Sequence, residues 1–212
     1  MIKQFTVNHF CENTYIVWDD SLEAAIIDLG AKTEMERQNI YGFIEKEKLK
    51  IKYLLLTHSH IDHFCGFKYA MDKFSLPLTM SKDAKKMLNI SLAQADIMGF
   101  PPIDMKCAEL NLIQAGDEIV LGNNYVIKTI EASGHCPGSL AYYSKQDNAV
   151  FVGDAIFNMS IGRTDLYGGN LEELVNNIKN NILSLPLDTD ILCGHGPVTD
   201  VEYERSNNPY VK

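Results

Sequence analysis

Short runs of apolar residues, separated by Asn, Asp and Gly, fill roughly the first eighty positions of the chain. Runs of this length between turn-forming residues are typical of β-strands. Four large residues in succession at positions 53–56 indicate a short buried strand. The strands predicted in this half are residues 2–7, 14–18, 24–28, 52–57 and 78–80.

Apolar residues at helical spacing predict helices between and after these strands. Ile40, Phe43 and Ile44 recur among charged residues, as expected for the buried face of a surface helix. The predicted helices are residues 33–48, 63–74, 81–100 in two short pieces, and 171–183. Ser81 is the expected N-cap of the third region. Core packing is the expected role of three methionines nearby, Met80, Met87 and Met98.

The second half of the chain returns to strand-like patterns. The predicted strands are residues 118–121, 125–131, 139–143, 149–152 and 190–193, with a hairpin turn at 122–124. No linker, low-complexity tract or charge block interrupts the sequence, and 212 residues suit one ordinary domain. We therefore expect a single mixed α/β (α+β) domain over residues 1–212.

The composition restricts the partners of this domain. A net charge of -9, with 19 Lys+Arg against 28 Asp+Glu, disfavours nucleic acid and anionic membranes as partners. No apolar run approaches the roughly 20 residues of a membrane span, and the N-terminus lacks a signal-peptide pattern. Five irregularly spaced cysteines favour a reducing compartment over a disulfide framework. We expect a cytoplasmic protein, of undetermined oligomeric state.

Residues with metal-binding chemistry follow the predicted strand 52–57. His58, His60, Asp62 and His63 form the pattern H-x-H-x-D-H. On an extended chain residues two apart point to the same side, so His58 and His60 are expected to converge on one point. Asp62 and His63 follow where the chain turns into a helix, and they can face a second point nearby. Imidazole and carboxylate groups at this density suit zinc, iron or manganese.

Three further candidates follow later predicted strands. His135 lies in a loop rich in Gly and Pro, Asp154 follows the apolar strand 149–152, and His195 follows strand 190–193. A single histidine in such a loop is more often hydrogen-bonded than bound to metal. A carboxylate at the end of a buried strand, however, needs a partner or a metal. Together with the first cluster, these residues predict one metal centre.

The order of these motifs resembles that of the metallo-β-lactamase superfamily over essentially the whole chain. The segments 12–15 and 27–30 also resemble the opening strands of that superfamily. Gly153-Asp154, running on to the segment 160–165, is similar to the glyoxalase II group (hydroxyacylglutathione hydrolases), particularly its short bacterial members. The resemblance implies an αββα sandwich with the metal site at one edge, between two sheets.

By this resemblance the protein would bind two divalent metal ions, with zinc as the first choice and iron or manganese as alternatives. The implied ligands are His58, His60 and His135 for the first ion, Asp62, His63 and His195 for the second, and Asp154 bridging both. Asp62 would also orient the hydroxide held between the ions. No ligand position is a cysteine, unlike in several true β-lactamases, and Cys136 is expected to pack structurally.

The implied activity is hydrolysis of a small thioester, of the S-lactoylglutathione kind, by that metal-bridging hydroxide. Arg163 falls where the family places a basic substrate-contacting residue, although a structural role in its loop is equally compatible. Longer glyoxalase II enzymes carry a C-terminal helical domain that grips glutathione. The segment after His195 is too short for such a domain. The thiol carrier is therefore left open.

Other functions remain compatible with these motifs. A persulfide dioxygenase with a single iron shares the Gly-Arg-Thr-Asp segment at 162–165. Another hydrolase of the same fold, or a non-catalytic binding scaffold, would also keep part of the ligand set. A nuclease of the superfamily is disfavoured by the acidic composition.

Overall fold

Two six-stranded β-sheets pack face to face, and helices cover the outer face of each sheet. The computed structural model describes all residues from Met1 to Lys212. The αββα sandwich in a single mixed α/β domain, expected from the sequence, is confirmed.

The elements fall into two sheets, a small hairpin and two helical layers. The first sheet contains, in spatial order, β1 (Ile2–Val7), β2 (Glu12–Trp18), β3 (Glu23–Ile27), β4 (Lys50–Leu55), β5 (Leu78–Ser81) and β6 (Leu110–Ile113). The second contains β7 (Glu118–Leu121), β8 (Tyr125–Glu131), β9 (Leu140–Ser144), β10 (Ala149–Gly153), β13 (Asp190–Cys193) and β14 (Thr199–Asp200), also as neighbours in that order. Along the chain, β11 (Ile156–Phe157) and β12 (Ser160–Ile161) follow β10 and form the small hairpin. The helices are α1 (Glu34–Lys46), α2 (Ile61–Phe64), α3 (Phe67–Phe74), α4 (Ala84–Gln94), α5 (Leu171–Asn177), extended by a π-helical turn at Ile178–Ile182, and α6 (Val201–Asn207).

Apolar side chains form three layers in this sandwich. Tyr142 and Phe151 belong to the layer between the sheets. Ile40 and Phe64 belong to the layer between the first sheet and its helices, and Ile178 to the layer on the second sheet. All five side chains are buried. Since burial of apolar area is the main favourable contribution to folding, these layers fix how the two sheets face each other.

Parallel strand pairs direct several loops to one edge of the sandwich. β4 runs parallel to β3 and β5, and β10 runs parallel to β13. Two tyrosine hydroxyls join the sheets near the ends of these strands. Tyr142 in β9 donates to Leu56 O at 2.8 Å, and Tyr15 in β2 donates to Cys193 O at 2.7 Å. Each bond ends two residues before a candidate metal ligand, so the ligand loops of both sheets meet.

The helix predicted at 63–74 is instead two helices, α2 and α3. Gly66 separates them, and its backbone N–H donates to Leu29 O at 2.8 Å. A Cβ at Gly66 would lie 2.8 Å from the same oxygen, so the chain here presses against the end of β3. This tertiary contact, which local periodicity does not encode, divides the helix and leaves α2 as a single turn.

The region predicted as helix at 81–100 contains only α4. Ser81 is the last residue of β5 and not the N-cap, which is Asp83. The Ser81 hydroxyl still accepts from the backbone N–H groups of Asp83 at 3.2 Å and Ala84 at 3.5 Å. The prediction of the cap was therefore wrong in position. The methionines do pack as expected, with Met80 and Met87 buried and Met98 against the same core.

Four short elements were not predicted: β6, the β11–β12 hairpin, β14 and α6. β6 has four residues, pairs only with β5, and has no fully buried residue. Elements this short carry too few residues for a periodic pattern. Among the helices, none has the length and apolar composition needed to cross a membrane.

Candidate metal centre

The loop after β4 splits its four candidate ligands into two pairs. His60 has an extended backbone, with φ −76° and ψ 141°. Its Nδ1 lies 3.2 Å from Nε2 of His58, so these two side chains meet. α2 begins at Ile61 and places Asp62 and His63 in its single turn. The change from extended chain to helix therefore aims the second pair at a different point.

Close contacts between glycines join the loops after β10 and β13. Gly153 has a positive φ of 52°, which turns the chain before Asp154. Gly194 N–H donates to Gly153 O at 2.7 Å. A Cβ on Gly194 would overlap Oδ1 of Asp154 and lie 2.6 Å from Cε1 of His63. Only glycine at position 194 lets this loop approach the centre so closely.

The structure brings all seven predicted ligands together. Their ligand atoms fall into two sets, in each of which the atoms lie within 4.8 Å of one another: His58, His60, His135 and Asp154 in one, and Asp62, His63 and His195 in the other. In the first set, His135 Nε2 lies 2.9 Å from His60 Nδ1. In the second, His195 Nε2 lies 3.2 Å from both His63 Nε2 and Asp62 Oδ2.

Asp154 lies between the two sets. Its Oδ1 is 3.3 Å from His63 Nε2, and its Oδ2 is 3.6 Å from His195 Nε2 and 3.7 Å from His135 Nε2. Oδ1 is buried and accepts no hydrogen bond. A buried carboxylate oxygen without a donor is costly unless a cation compensates it. This position suits a bridging ligand.

Backbone carbonyls orient two of the imidazole rings. His135 Nδ1 donates to Arg163 O at 2.7 Å, and His195 Nδ1 donates to Phe10 O at 3.0 Å. A carbonyl can only accept, so each Nδ1 carries the hydrogen when the ring is neutral. The lone pair of each ring is then on Nε2, which faces the centre. Such fixed tautomers are typical of histidines that bind metal.

Asp28 and Thr57 orient the rings of His58 and His63. Asp28 Oδ2 accepts from His63 Nδ1 at 2.9 Å and from the Thr57 hydroxyl at 2.7 Å. Because that hydroxyl donates its hydrogen to Asp28, it accepts from His58 Nδ1, at 3.0 Å. Both rings therefore also direct an Nε2 lone pair to the centre.

Asp28 belongs to the candidate site by its contacts, and the sequence analysis missed it. It lies within ligand distance of His58 and His63, but its oxygens already accept three hydrogen bonds, including one from Thr57 N–H at 2.8 Å. Asp28 therefore supports the histidines from the side away from the centre, through their Nδ1 atoms. The signal was present, since Asp28 follows the buried strand β3 just as Asp154 follows β10.

The pKa shifts of Asp154, His58 and His60 favour the ionisation states that metal binding requires. Burial alone would raise the pKa of Asp154, but the charge of His63 beside it holds this pKa well below its usual range. Burial lowers the pKa of His58 well below its usual value. Burial, and secondly the charge of His135, lowers the pKa of His60 to about 4. These imidazoles are neutral and this carboxylate is ionised at neutral pH.

Two histidines of the second set, His63 and His195, have raised pKa values. Burial opposes charge on His63, yet Asp154 and Asp62 raise its pKa well above the usual value. For His195, burial is again outweighed, here by the hydrogen bond with Asp62. Asp62 and Asp154 thus favour positive charge at the Nε2 atoms of His63 and His195. A metal ion would compete with protons at these two atoms. Nitrogen lone pairs about 3 Å apart, facing each other, fit cations better than any hydrogen-bond pattern.

Arg163 lies at the rim of the centre. Its guanidinium forms two hydrogen bonds of 2.8 Å with Asp165, and its side chain is 61% exposed. Its carbonyl holds His135, as described above. The side chain is thus accessible but already paired, so the predicted contact with substrate stays a prediction. Cys136 is buried, and burial raises its pKa to about 11, in agreement with a packing role.

Comparison with known proteins agrees with this geometry. A family model described as the Metallo-beta-lactamase superfamily matches residues 11–195. The hydroxyacylglutathione hydrolase GloC of Haemophilus influenzae is 34% identical over 211 residues, which cover 99% of this chain and 97% of that protein.

Two solved structures extend the comparison. The BLEG-1 B3 metallo-beta-lactamase has a TM-score of 0.88 and 31% identity, with 100% of both chains covered. TTHA1623, in a di-iron-bound form, has a TM-score of 0.85 and 26% identity, with 98% of this chain and 99% of that chain covered. The sequence match, the fold and the His/Asp cluster lead to one conclusion: the chain belongs to the metallo-beta-lactamase superfamily.

Proposed function

We propose that this protein is a metal-dependent hydrolase of small thioesters, with S-lactoylglutathione as the reference substrate. The observation that carries the proposal is the convergence of two ligand sets on Asp154, with ring nitrogens aimed inward. The similarity to a hydroxyacylglutathione hydrolase over the whole chain supports the choice of a thioester.

Each of the two sets would hold one divalent ion. His58, His60 and His135 would hold the first, Asp62, His63 and His195 would hold the second, and Asp154, which lies between the sets, would be shared by both. Zinc is the first candidate because all ligands are imidazole or carboxylate. Iron is the alternative, supported by the di-iron form of a similar structure. Such ions supply a water that is deprotonated near neutral pH and a Lewis acid for the substrate carbonyl.

The chain's own residues prepare the attack on the thioester. Asp62 is mostly buried, and its Oδ2 lies 3.2 Å from His195 Nε2, next to the space between the two sets. There it accepts a hydrogen bond from the attacking water and orients it toward the carbonyl carbon. The C–S bond breaks as the new C–O bond forms, and sulfur takes the electron pair. A thiol with a pKa of about 8.5 is a good leaving group near neutral pH, so the site needs no strong general acid.

The test of the proposal is the His58→Ala variant. The substitution removes the imidazole proposed as a ligand of the first ion. We expect activity on S-lactoylglutathione to fall by at least about a hundredfold and the metal content to fall with it. Circular dichroism should show an intact fold. Met35→Ala, an exposed residue in α1, is the matched control. A fully metallated, active His58→Ala enzyme would overturn the assignment.

Two other activities belong in the same assay. β-Lactam hydrolysis is favoured by the similarity to BLEG-1 and is measured with a chromogenic cephalosporin. Persulfide oxidation is measured as oxygen uptake with glutathione persulfide. Rapid uptake with one iron per chain, or β-lactam turnover well above thioester turnover, would replace the thioesterase proposal.

A further inference from the structure

The turn between β1 and β2 lies at the rim of the candidate centre. Asn8 Nδ2 donates to the backbone carbonyl of Asp62 at 3.0 Å, and Phe10 O accepts from His195 Nδ1 at 3.0 Å. Phe10 N–H in turn donates to Asn8 Oδ1 at 2.9 Å. The turn is therefore fastened to two of the proposed ligands of the second ion. Phe10 cannot move away from the centre without breaking these bonds.

The ring of Phe10 is a fixed apolar surface at this rim. Phe10 is 43% exposed and stacks on the buried Phe100, with ring centroids 5.8 Å apart and an angle of 14°. His9 packs against both rings, at 4.4 Å and 4.9 Å. The ring of Phe157 from β11 lies 6.2 Å from His195. Because Phe10 is held from behind by Phe100, its exposed face is ordered in advance for an apolar ligand.

The side of the centre that carries His135 is more polar than the side that carries Phe10. Next to the His135 loop lies a cleft of about 770 Å³, whose lining includes polar residues such as Ser133 and charged residues of both signs, Lys82 and Lys86 together with Asp83, Glu131 and Glu173. The surroundings of the centre thus differ in polarity, with an aromatic surface beside His195 and a polar cleft with charges of both signs beside His135. A substrate with one apolar and one polar end has one favourable orientation.

We infer that Phe10, supported by Phe100, binds the acyl group of the thioester, and that this protein therefore selects acyl groups with apolar chains. The polar thiol carrier extends toward the cleft beside His135. This inference rests on the proposed thioesterase function and names the substrate class within it. Phe10 acts through its side chain, whereas its carbonyl holds His195, so the two roles separate on mutation.

Acyl-chain length at constant thiol tests the inference. With S-acetyl-, S-butanoyl- and S-hexanoylglutathione, we expect kcat/KM of the wild type to rise with chain length, because each methylene buried against Phe10 is favourable. Phe10→Ala should lose about tenfold on the hexanoyl substrate and less than about twofold on the acetyl substrate. Phe10→Leu should restore most of the preference. Metal content should be unchanged in both variants, and Met35→Ala should behave as wild type.

A second measurement does not depend on turnover. S-Methyl- and S-hexylglutathione are thioethers that cannot be hydrolysed, and calorimetry gives their affinities directly. We expect the hexyl compound to bind about tenfold more tightly to the wild type and the two to bind alike to Phe10→Ala. Equal binding of both to the wild type, or an unchanged hexyl preference in Phe10→Ala, would overturn the inference. A wild type that hydrolyses no thioester but keeps the Phe10-dependent hexyl preference would instead overturn the proposed function.

Discussion

Single residues behind the ligands determine how the ligands present their lone pairs. Asp28 accepts from His63 Nδ1 and from both the N–H and the hydroxyl of Thr57. Through that hydroxyl it also fixes the ring of His58. One buried carboxylate thus orients one nitrogen of each ligand set. Its loss should loosen both sets together.

The Asp28→Asn variant tests this role. An amide keeps the shape but replaces one acceptor oxygen by an NH₂ group, which cannot accept from both a ring N–H and a hydroxyl. We expect metal affinity to fall about 10- to 100-fold, the usual effect of losing a residue that supports metal ligands. Equilibrium dialysis with a competing chelator measures it. Asp20→Asn, at an exposed position, is the control, and equal affinities in the two variants would contradict the role.

Arg163→Ala tests the substrate contact proposed at the rim. Free of its bonds to Asp165, the guanidinium could bind a carboxylate in the same two-pronged geometry. We expect KM for anionic thioesters to rise about threefold to tenfold with little change in kcat, since binding and not chemistry is affected. Steady-state kinetics on charged and neutral thioesters check it. Unchanged kinetics would leave Arg163 with only the backbone role of holding His135.

The convergence of the seven candidate residues was predictable, because each occurs in a dense or Gly-flanked motif after a strand. The groups that orient them were not, for two reasons. Phe10 holds His195 through its backbone carbonyl, which every residue has, so the sequence carries no signal for this contact. Asp28 does follow a buried strand, but it is distant in sequence from the residues that it supports, so only the fold shows which rings it contacts.

At the scale of elements, the loops after β10 and β13 depend on their glycines. Gly194→Ala would force a methyl group onto Asp154 and His63. We expect the variant to fold less stably, by about 1–3 kcal/mol, and to lose most of its bound metal. Gly42→Ala is a matched control in α1, where a Cβ meets no atom within 4 Å.

The control variant Gly42→Ala should change stability in the opposite direction. Replacing an exposed helical glycine by alanine should raise the free energy of unfolding by about 0.5–1 kcal/mol, because alanine restricts the unfolded chain. Urea denaturation of both variants, with metal analysis, checks the pair. A Gly194→Ala protein as stable and as metallated as Gly42→Ala would refute the close approach of these loops.

Elements with a long periodic pattern were predicted well, and those decided by tertiary contacts were not. β2, β8 and α1 lie where their apolar patterns place them. The division of α2 from α3 at Gly66 arises from a contact with Leu29, and β6 exists because β5 offers it a free edge. Both causes lie outside the local sequence.

At the scale of the whole molecule, the centre connects the two sheets. The loop after β4 belongs to the first sheet, whereas His135, Asp154 and His195 follow strands of the second. Metal bound to both groups would hold the sheets together, as the hydroxyls of Tyr15 and Tyr142 do at the same edge. Binding of this kind stabilises the folded state alone.

Removal of metal should therefore lower the thermal stability. With free metal at about 100 times its dissociation constant, binding adds about 2.7 kcal/mol, and for a domain of this size we expect Tm to fall by about 5–10 °C on chelation. Scanning calorimetry with and without chelator measures the shift. In His58→Ala the shift should be much smaller, and an equal shift would mean that metal binds elsewhere.

The strand directions also place one end of the second sheet away from the candidate centre. The turn at 122–124 precedes β8 and the turn at 145–148 precedes β10, so each lies at the opposite strand end from the loops of His135 and Asp154. Lys145, in the second turn, is exposed. A dye, an affinity tag or a solid support attached there would leave the mouth of the enzyme open to solution, which makes these turns the natural handles for immobilising it.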